Sequence, residues 1–203
     1  MAISTYAELS TAAANWLSRS DLTSRIPEFI TLAEARINRK LRIRQQETAS
    51  DVTITGGTRT AALPSDFREV RRLYLDTSPI RILDYISPQD YWARYVSTNT
   101  GKPSVFTIEG ANIVLGPIPD TGYTGKLTYY AAFPALSTTA HGTFTANPDL
   151  YLYGTLLSAE PYLKNDKRIG MWKSLFDEIL MEMERQQSRN ARPMRMRDDY
   201  NPQ

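Results

Sequence analysis

Apolar positions follow a helical period at both ends of the chain and a two-residue period between them. Near the start, Tyr6, Leu9, Ala13, Trp16 and Leu17 fall on one helical face. Thr5 with Glu8 three residues on forms a capping-box pattern ahead of them. Ser18 to Ser20 end this helix, and Asp21 or Ser24 can cap the next. Pro27 then sits in a first turn, where its missing N–H costs little. Ile26, Phe29, Ile30, Ala33, Ile37 and Leu41 predict a buried stripe on a second helix running to about Arg44. A short connection predicts that the two helices pack antiparallel.

The period changes after Gln46. DVTITGGTRTAALP alternates around Gly56-Gly57 and reads as a β-hairpin. EVRRLYLD and PIRILDYI are strand candidates, and Ser87-Pro88 opens a short helix, PQDYWARYV. SVFTIEG and ANIVLGP predict a hairpin turning near Gly110, and GKLTYYAAFP is the last clear strand. Residues 135–146 read as a Ser/Thr-rich loop.

A second helical pair closes the pattern. Asn147 is placed to cap it, with Pro148 at its first position. Leu150, Tyr153, Leu156, Leu157 and Leu163 supply an apolar face, and Pro161 marks a bend or stop. Asn165-Asp166 is the turn. Ile169, Trp172, Leu175, Phe176, Ile179, Leu180 and Met183 then make a stripe too long for propensity alone to sustain without a partner face. The expected fold class is α+β: mainly an α-helical bundle from the N- and C-terminal helix pairs, with an inserted antiparallel β-subdomain and an extended C-terminal tail. The expected divisions are 1–46 and 147–190 for the two helical pairs, 47–146 for the β-rich insertion with one short helix, and 191–203 for the arm.

Composition narrows the chemistry. The 203 residues include no cysteine and one histidine, which removes disulfides, thiolate metal sites and cysteine nucleophiles. No metal or cofactor is expected. The first ten residues lack the basic and apolar regions of a signal peptide, and no run approaches the roughly 20 apolar residues of a membrane span, so a soluble protein is expected. Net charge is +2 but unevenly placed. Residues 36–72 hold nine Lys/Arg and four Asp/Glu, whereas residues 147–184 hold four and seven. Such segregation suits nucleic acid, or a repeated contact between basic and acidic faces of like subunits.

Enzyme readings find little support. His141 reads as a solvated loop histidine, and no GxSxG elbow accompanies it. Asp177, Glu178 and Glu182 could pose as a hydrolytic carboxylate pair, but they fit the solvated face of an amphipathic helix. Gly56-Gly57 lacks the rest of a phosphate loop. The basic helix end carrying Arg36, Arg39, Arg42 and Arg44 admits three readings: a phosphate-neutralising patch, a dipole-complementing helix end, or a subunit interface. Tyr85, Tyr91, Trp92 and Tyr95 serve either as stacking platforms for bases or as core and interface anchors. The tail RNARPMRMRDDYNPQ has no apolar periodicity and reads as an arm that orders only on a partner.

Three stretches carry a family resemblance. TYAELSTAAANWLSRSDLTSRIPEFITLAEARINRKLR resembles the N-terminal helical hairpin of the head–tail connector, or adaptor, proteins of tailed bacteriophages. LPSDFREVRRLYLD with KPSVFTIEGANIVLGPIPD looks like the same family's β-region, and YLYGTLLSAEPYLKNDKRIGMWKSLFDEIL like its closing pair. The resemblance implies a non-enzymatic virion component at the head–tail interface, assembled in the host cytoplasm. It implies a ring of copies, commonly twelve, that binds the portal protein and extends the DNA channel. The ring would also offer a surface to a downstream tail or nozzle protein, with double-stranded DNA passing through without specific binding and no membrane involved. On that footing Arg192, Met194, Arg195, Met196, Arg197 and Tyr200 are the expected portal-binding arm. The uneven charge, basic over 36–72 and acidic over 147–184, further suggests that Arg36, Arg39, Arg42 and Arg44 meet Glu178, Glu182 and Glu184 of a neighbouring copy. A non-sequence-specific nucleic-acid module using residues 36–44 is the alternative.

Overall fold

The computed structural model describes residues 3–163 and 167–190. The chain divides into two compact units, one formed by the described residues of 1–45 and 133–203, the other by 46–132.

The helical unit opens with α1 (Tyr6–Leu17), where Thr5 and Glu8 complete the capping box in both directions. Ser18 ends it in the left-handed region at φ 53°. A 3₁₀ segment at Ser20–Arg25 leads into α2 (Ile26–Lys40). This helix stops short of Arg44 because Leu41 is extended, and Arg42 turns back to donate to the Asn38 and Leu41 carbonyls. A side-chain cation thus satisfies carbonyls that the helix end leaves orphaned.

The chain re-enters this unit at Phe133 and is latched to α2. Asn38 Oδ1 accepts from the Phe133 N–H at 2.9 Å, and Glu34 Oε1 from the Leu136 N–H at 2.6 Å. The expected loop over residues 135–146 instead contains α4 (Gly142–Ala146). Then α5 (Pro148–Ser158) and α6 (Arg168–Asn190) follow, with Pro161 in a 3₁₀ turn between them.

The expectation that α5 is amphipathic is corrected. Leu150, Tyr151, Leu152, Gly154, Thr155, Leu156, Leu157 and Ser158 are all buried, so the helix is enclosed nearly all round by α1, α2 and α6. Its polar side chains survive burial by bonding their own helix: Thr155 Oγ1 donates to Tyr151 O and Ser158 Oγ to Gly154 O. Asn147 does not cap with its side chain; Asp149 Oδ1 instead accepts from the Leu150 N–H at 2.9 Å.

The β unit overturns the expected fold class. The structure is 45% helical and 26% strand, with a large, nearly closed, barrel-like seven-stranded sheet, not a mainly helical bundle carrying a small insertion. In chain order the strands are β1 (Glu47–Ile54), β2 (Thr60–Ala62), β3 (Phe67–Leu75), β4 (Arg81–Tyr85), β5 (Thr100–Gly101), β6 (Val105–Glu109), β7 (Asn112–Gly116), β8 (Ile118–Pro119) and β9 (Tyr123–Ala131). The sheet order is β1-β9-β3-β4-β6-β7-β2, and β5 pairs separately with β8. The sheet is not purely antiparallel: β4 and β6 run parallel, Asp84 opposite Val105. A parallel pair needs a long crossover, and α3 (Pro88–Arg94) lies within it.

The hairpin expected around Gly56-Gly57 does not form. A turn does, with Gly57 at φ 76°, but β1 pairs with β9 and β2 with β7, at opposite ends of the sheet order. The β6–β7 hairpin turns at Gly110 as its sequence predicts. Val52, Ile54, Leu73, Leu75, Leu83, Phe106, Ile113, Leu115 and Leu127 fill the interior. Alternation holds along the ends of β1 and β3, where Val52, Ile54, Leu73 and Leu75 are buried and Thr53 and Tyr74 are not, whereas Val114 and Thr107 are buried beside interior residues of β7 and β6.

A candidate interaction groove on the helical unit

The outward face of α2 and the first half of α6 bound an open groove of about 500 Å³. Its apolar lining is Leu157, Ile169 and Phe176. Its rim carries Arg36, Arg39, Lys40 and Lys173, against Glu160 and Asp177. The stripe Ile26, Phe29, Ile30, Ala33 and Ile37 buries one side of α2, which leaves the cations on the other. Lys40 Nζ donates to Asp177 Oδ1 at 3.0 Å and lies 5.6 Å from the Phe176 ring centroid. Arg36 on α2 and Lys173 on α6 each stand about one helical turn before that bridge. Gly170 faces open space, with nothing within 4 Å of where a Cβ would stand.

The residues expected at the subunit contact stand in different surroundings. Arg36 and Arg39 line the groove, whereas Arg42 caps α2. Arg44 lines a second depression of about 400 Å³ with Ile43, Met183 and Gln186, and its backbone N–H donates to Gln187 Oε1. Glu178, Glu182 and Glu184 are exposed on α6 but do not line the groove. The acid that reaches a cation of α2 is Asp177, within the same chain. Nothing in the sequence singles out Asp177 from Glu178, because that choice depends on the rotation of α6 about its own axis. Arg192, Met194, Arg195, Met196, Arg197 and Tyr200 lie outside the described residues.

His141 is not a solvated loop residue. Its Nδ1 accepts from the Phe144 N–H at 3.3 Å and so caps α4. Its Nε2 is 3.2 Å from the Tyr151 hydroxyl, and its ring stacks on Phe133 at 4.7 Å between centroids. Burial lowers its pKa, because a charged imidazolium is poorly solvated there. Burial likewise raises Glu34, and raises Tyr151 with a further push from the charge of Glu34. Both ring nitrogens are committed to structural contacts. The ordinary sequence signal for this role was slight: a histidine three residues before the residue whose N–H it satisfies.

The aromatic group of the β unit also anchors structure. Tyr91 is fully buried and donates to Leu115 O at 2.7 Å. Tyr95 stacks on it at 5.5 Å, Trp92 donates through Nε1 to Glu109, and Tyr85 packs edge-on against Phe106. Arg59 donates to the Tyr95 and Ser97 carbonyls and lies over Trp92.

Among the described residues no three His, Asp or Glu side chains gather in a way that could hold a metal ion. No helix among them is long and apolar enough to cross a membrane. No curated protein matches the chain. A family model does, that of the SU10 adaptor protein, over residues 4–197. This agrees with the likeness to phage head–tail adaptors and identifies a structural component of a phage virion. With nearly its whole length matched, the chain belongs to the SU10 adaptor protein family.

Proposed function

We propose that this adaptor forms an oligomeric ring that binds the portal, extends the DNA channel and presents a surface to the tail. Membership of the SU10 adaptor family over residues 4–197 is the observation that carries this reading. The protein acts by binding and carries out no reaction. Twelve copies is the expected number, following the resemblance, and double-stranded DNA passes without specific contacts. Assembly takes place in the host cytoplasm.

Ring closure requires a heterologous contact, repeated by rotation, between two different faces of the subunit. Arg39 on the groove rim and the exposed Glu178 and Glu182 of α6, which do not line the groove, are the proposed halves of that contact. Exposure of all three supports the assignment. Electron microscopy of the full chain mixed with its portal tests the ring directly. Charge reversal at Arg39 should prevent closure, and closed rings with Arg39→Glu would sink the proposed contact.

Residues 191–203 are proposed to bind the portal through Arg192, Met194, Arg195, Met196, Arg197 and Tyr200. Apolar and cationic side chains on an arm without helical or strand periodicity support this role. Deleting the arm should leave the fold intact and abolish capture by immobilised portal. A nucleic-acid module would instead show salt-sensitive DNA binding by the lone subunit.

A further inference from the structure

We infer that the groove between α2 and α6 is the docking site for the tip of the chain's own arm, Asp198-Asp199-Tyr200-Asn201-Pro202-Gln203.

Charge selects this occupant. The groove rim holds four cations and two acids, and Lys40 and Asp177 already neutralise one another. That leaves Arg36, Arg39 and Lys173 against Glu160. Residues 191–203 contain only two acids, adjacent at Asp198 and Asp199, and both belong to the tip. Paired carboxylates fit a site where arginines from one helix and a lysine from another converge. The apolar lining selects the next residue. Leu157, Ile169 and Phe176 offer a surface for an aromatic ring beside the charges, and Tyr200 follows the two aspartates directly.

Reach agrees. Lys173 lies 17 residues before Asn190 on α6, a distance of roughly 26 Å at 1.5 Å per residue. The eight residues from Asn190 to Asp198 span up to about 28 Å when extended. An arm folding back along α6 therefore brings Asp198 level with Lys173 and little further. Pro193 suits such a path, because proline disfavours helix both for itself and for the residue before it. A shorter arm would not reach, and the basic residues 192–197 would be strung along the way, beside the exposed Glu178 and Glu182.

The consequence is a masked subunit. With the tip seated, Tyr200 and the rim arginines are occupied by the same contact. The groove opens when the arm leaves. The contact is made by the free chain, and it holds or fails independently of the ring and portal readings.

Paramagnetic relaxation tests it in the full-length chain. Cysteine is absent, so Gln203→Cys gives a single attachment point for a nitroxide. The expected result is broadening of the Ile169–Asp177 amides, lost on Asp198→Asn with Asp199→Asn. Lys173→Glu should also remove it, and combining Lys173→Glu with Asp199→Lys should restore it. Labelled unenriched chain mixed with unlabelled enriched chain should give no broadening, since the contact is within one molecule. Unbroadened groove amides in the singly labelled chain would overturn the proposal, and so would broadening in the mixed sample, which would assign the groove to a second copy. Capture by portal is measured separately, so loss of one result leaves the other standing.

Discussion

Two helical glycines should respond to the same substitution with opposite signs. At Gly154, in the enclosed helix α5, an added Cβ would stand 3.2 Å from Ala33 Cβ and 3.2 Å from Phe176 Cε2. Those atoms lie on α2 and α6, so relieving the contact requires two different helices to give way. Replacing glycine by alanine within a helix gains about 0.8–1.0 kcal/mol from propensity. Overpacking a filled core costs typically about 1–3 kcal/mol. Gly154→Ala should therefore lose about 1 kcal/mol net, or about 2–4 °C in Tm for a chain of this size. At Gly170 nothing lies within 4 Å, and alanine should gain about 0.4–1 kcal/mol.

The assay is urea unfolding followed by helical circular dichroism, with the midpoint compared at constant slope. A double-mutant cycle locates the conflict. Phe176→Leu removes the ring edge that meets Gly154, so its cost should be smaller in the Gly154→Ala background by about 0.5–3 kcal/mol, the usual coupling between touching residues. Additivity to within about 0.5 kcal/mol, or a Gly154→Ala protein as stabilised as Gly170→Ala, would refute the claim that α2, α5 and α6 leave no room at this point.

Three other outcomes follow from the geometry. Asp177→Asn breaks an ion pair whose partners are 49% and 37% exposed, so thermal unfolding should register a loss below about 1 kcal/mol. His141 has a folded pKa below its unfolded value, so the unfolded chain binds the extra proton first. Stability is then full above the unfolded pKa of about 6.5 and falls as the pH drops through the folded pKa. His141→Gln should flatten that dependence in urea titrations, and an unchanged slope would count against the buried cap. Arg59→Ala should speed amide exchange over residues 95–99, read by mass spectrometry, while the β6–β7 ladder keeps its protection.

The sequence was most legible where one local device decides the outcome. The Thr5–Glu8 box, the β6–β7 turn at Gly110 and the α2 stripe all depend on residues a few places apart. It was least legible where distant segments compete. Residues 51–54 of β1 alternate as read, yet alternation does not say that the partner is β9, about 75 residues away, rather than the nearby β2. The parallel pairing of β4 and β6 is hidden for the same reason, because each strand alone looks like half of a hairpin. Helix α5 failed differently. The apolar face read for it leaves out Thr155 and Ser158, yet bonds to their own backbone let these polar residues sit inside. In the groove, the rim cations Arg36 and Arg39 were legible as a cluster, whereas Asp177 and Glu160 were not. A helical pattern fixes which residues share a face and leaves open which neighbour that face meets.

The Lys40–Asp177 bridge bears directly on how copies could meet. Successive residues on α6 turn by about 100°, so once Asp177 faces α2, Glu178 is carried around toward solvent and Glu182 falls on the same side one turn later. The acidic surface left for another subunit is therefore the strip through Glu178 and Glu182. The basic surface left on α2 near the groove is Arg36 and Arg39, since Lys40 is paired and Arg42 caps its helix. Arg36 and Arg39 line the groove and Glu178 and Glu182 do not, so the two strips are distinct surfaces, the requirement for a head-to-tail contact rather than a self-matching one. If the arm tip competes for the arginines, the strips become complementary only after the arm has gone elsewhere. Truncating the chain after Asn190 should then raise self-association of the lone subunit by sedimentation. Equal sedimentation of truncated and full-length protein would separate the groove from the subunit contact.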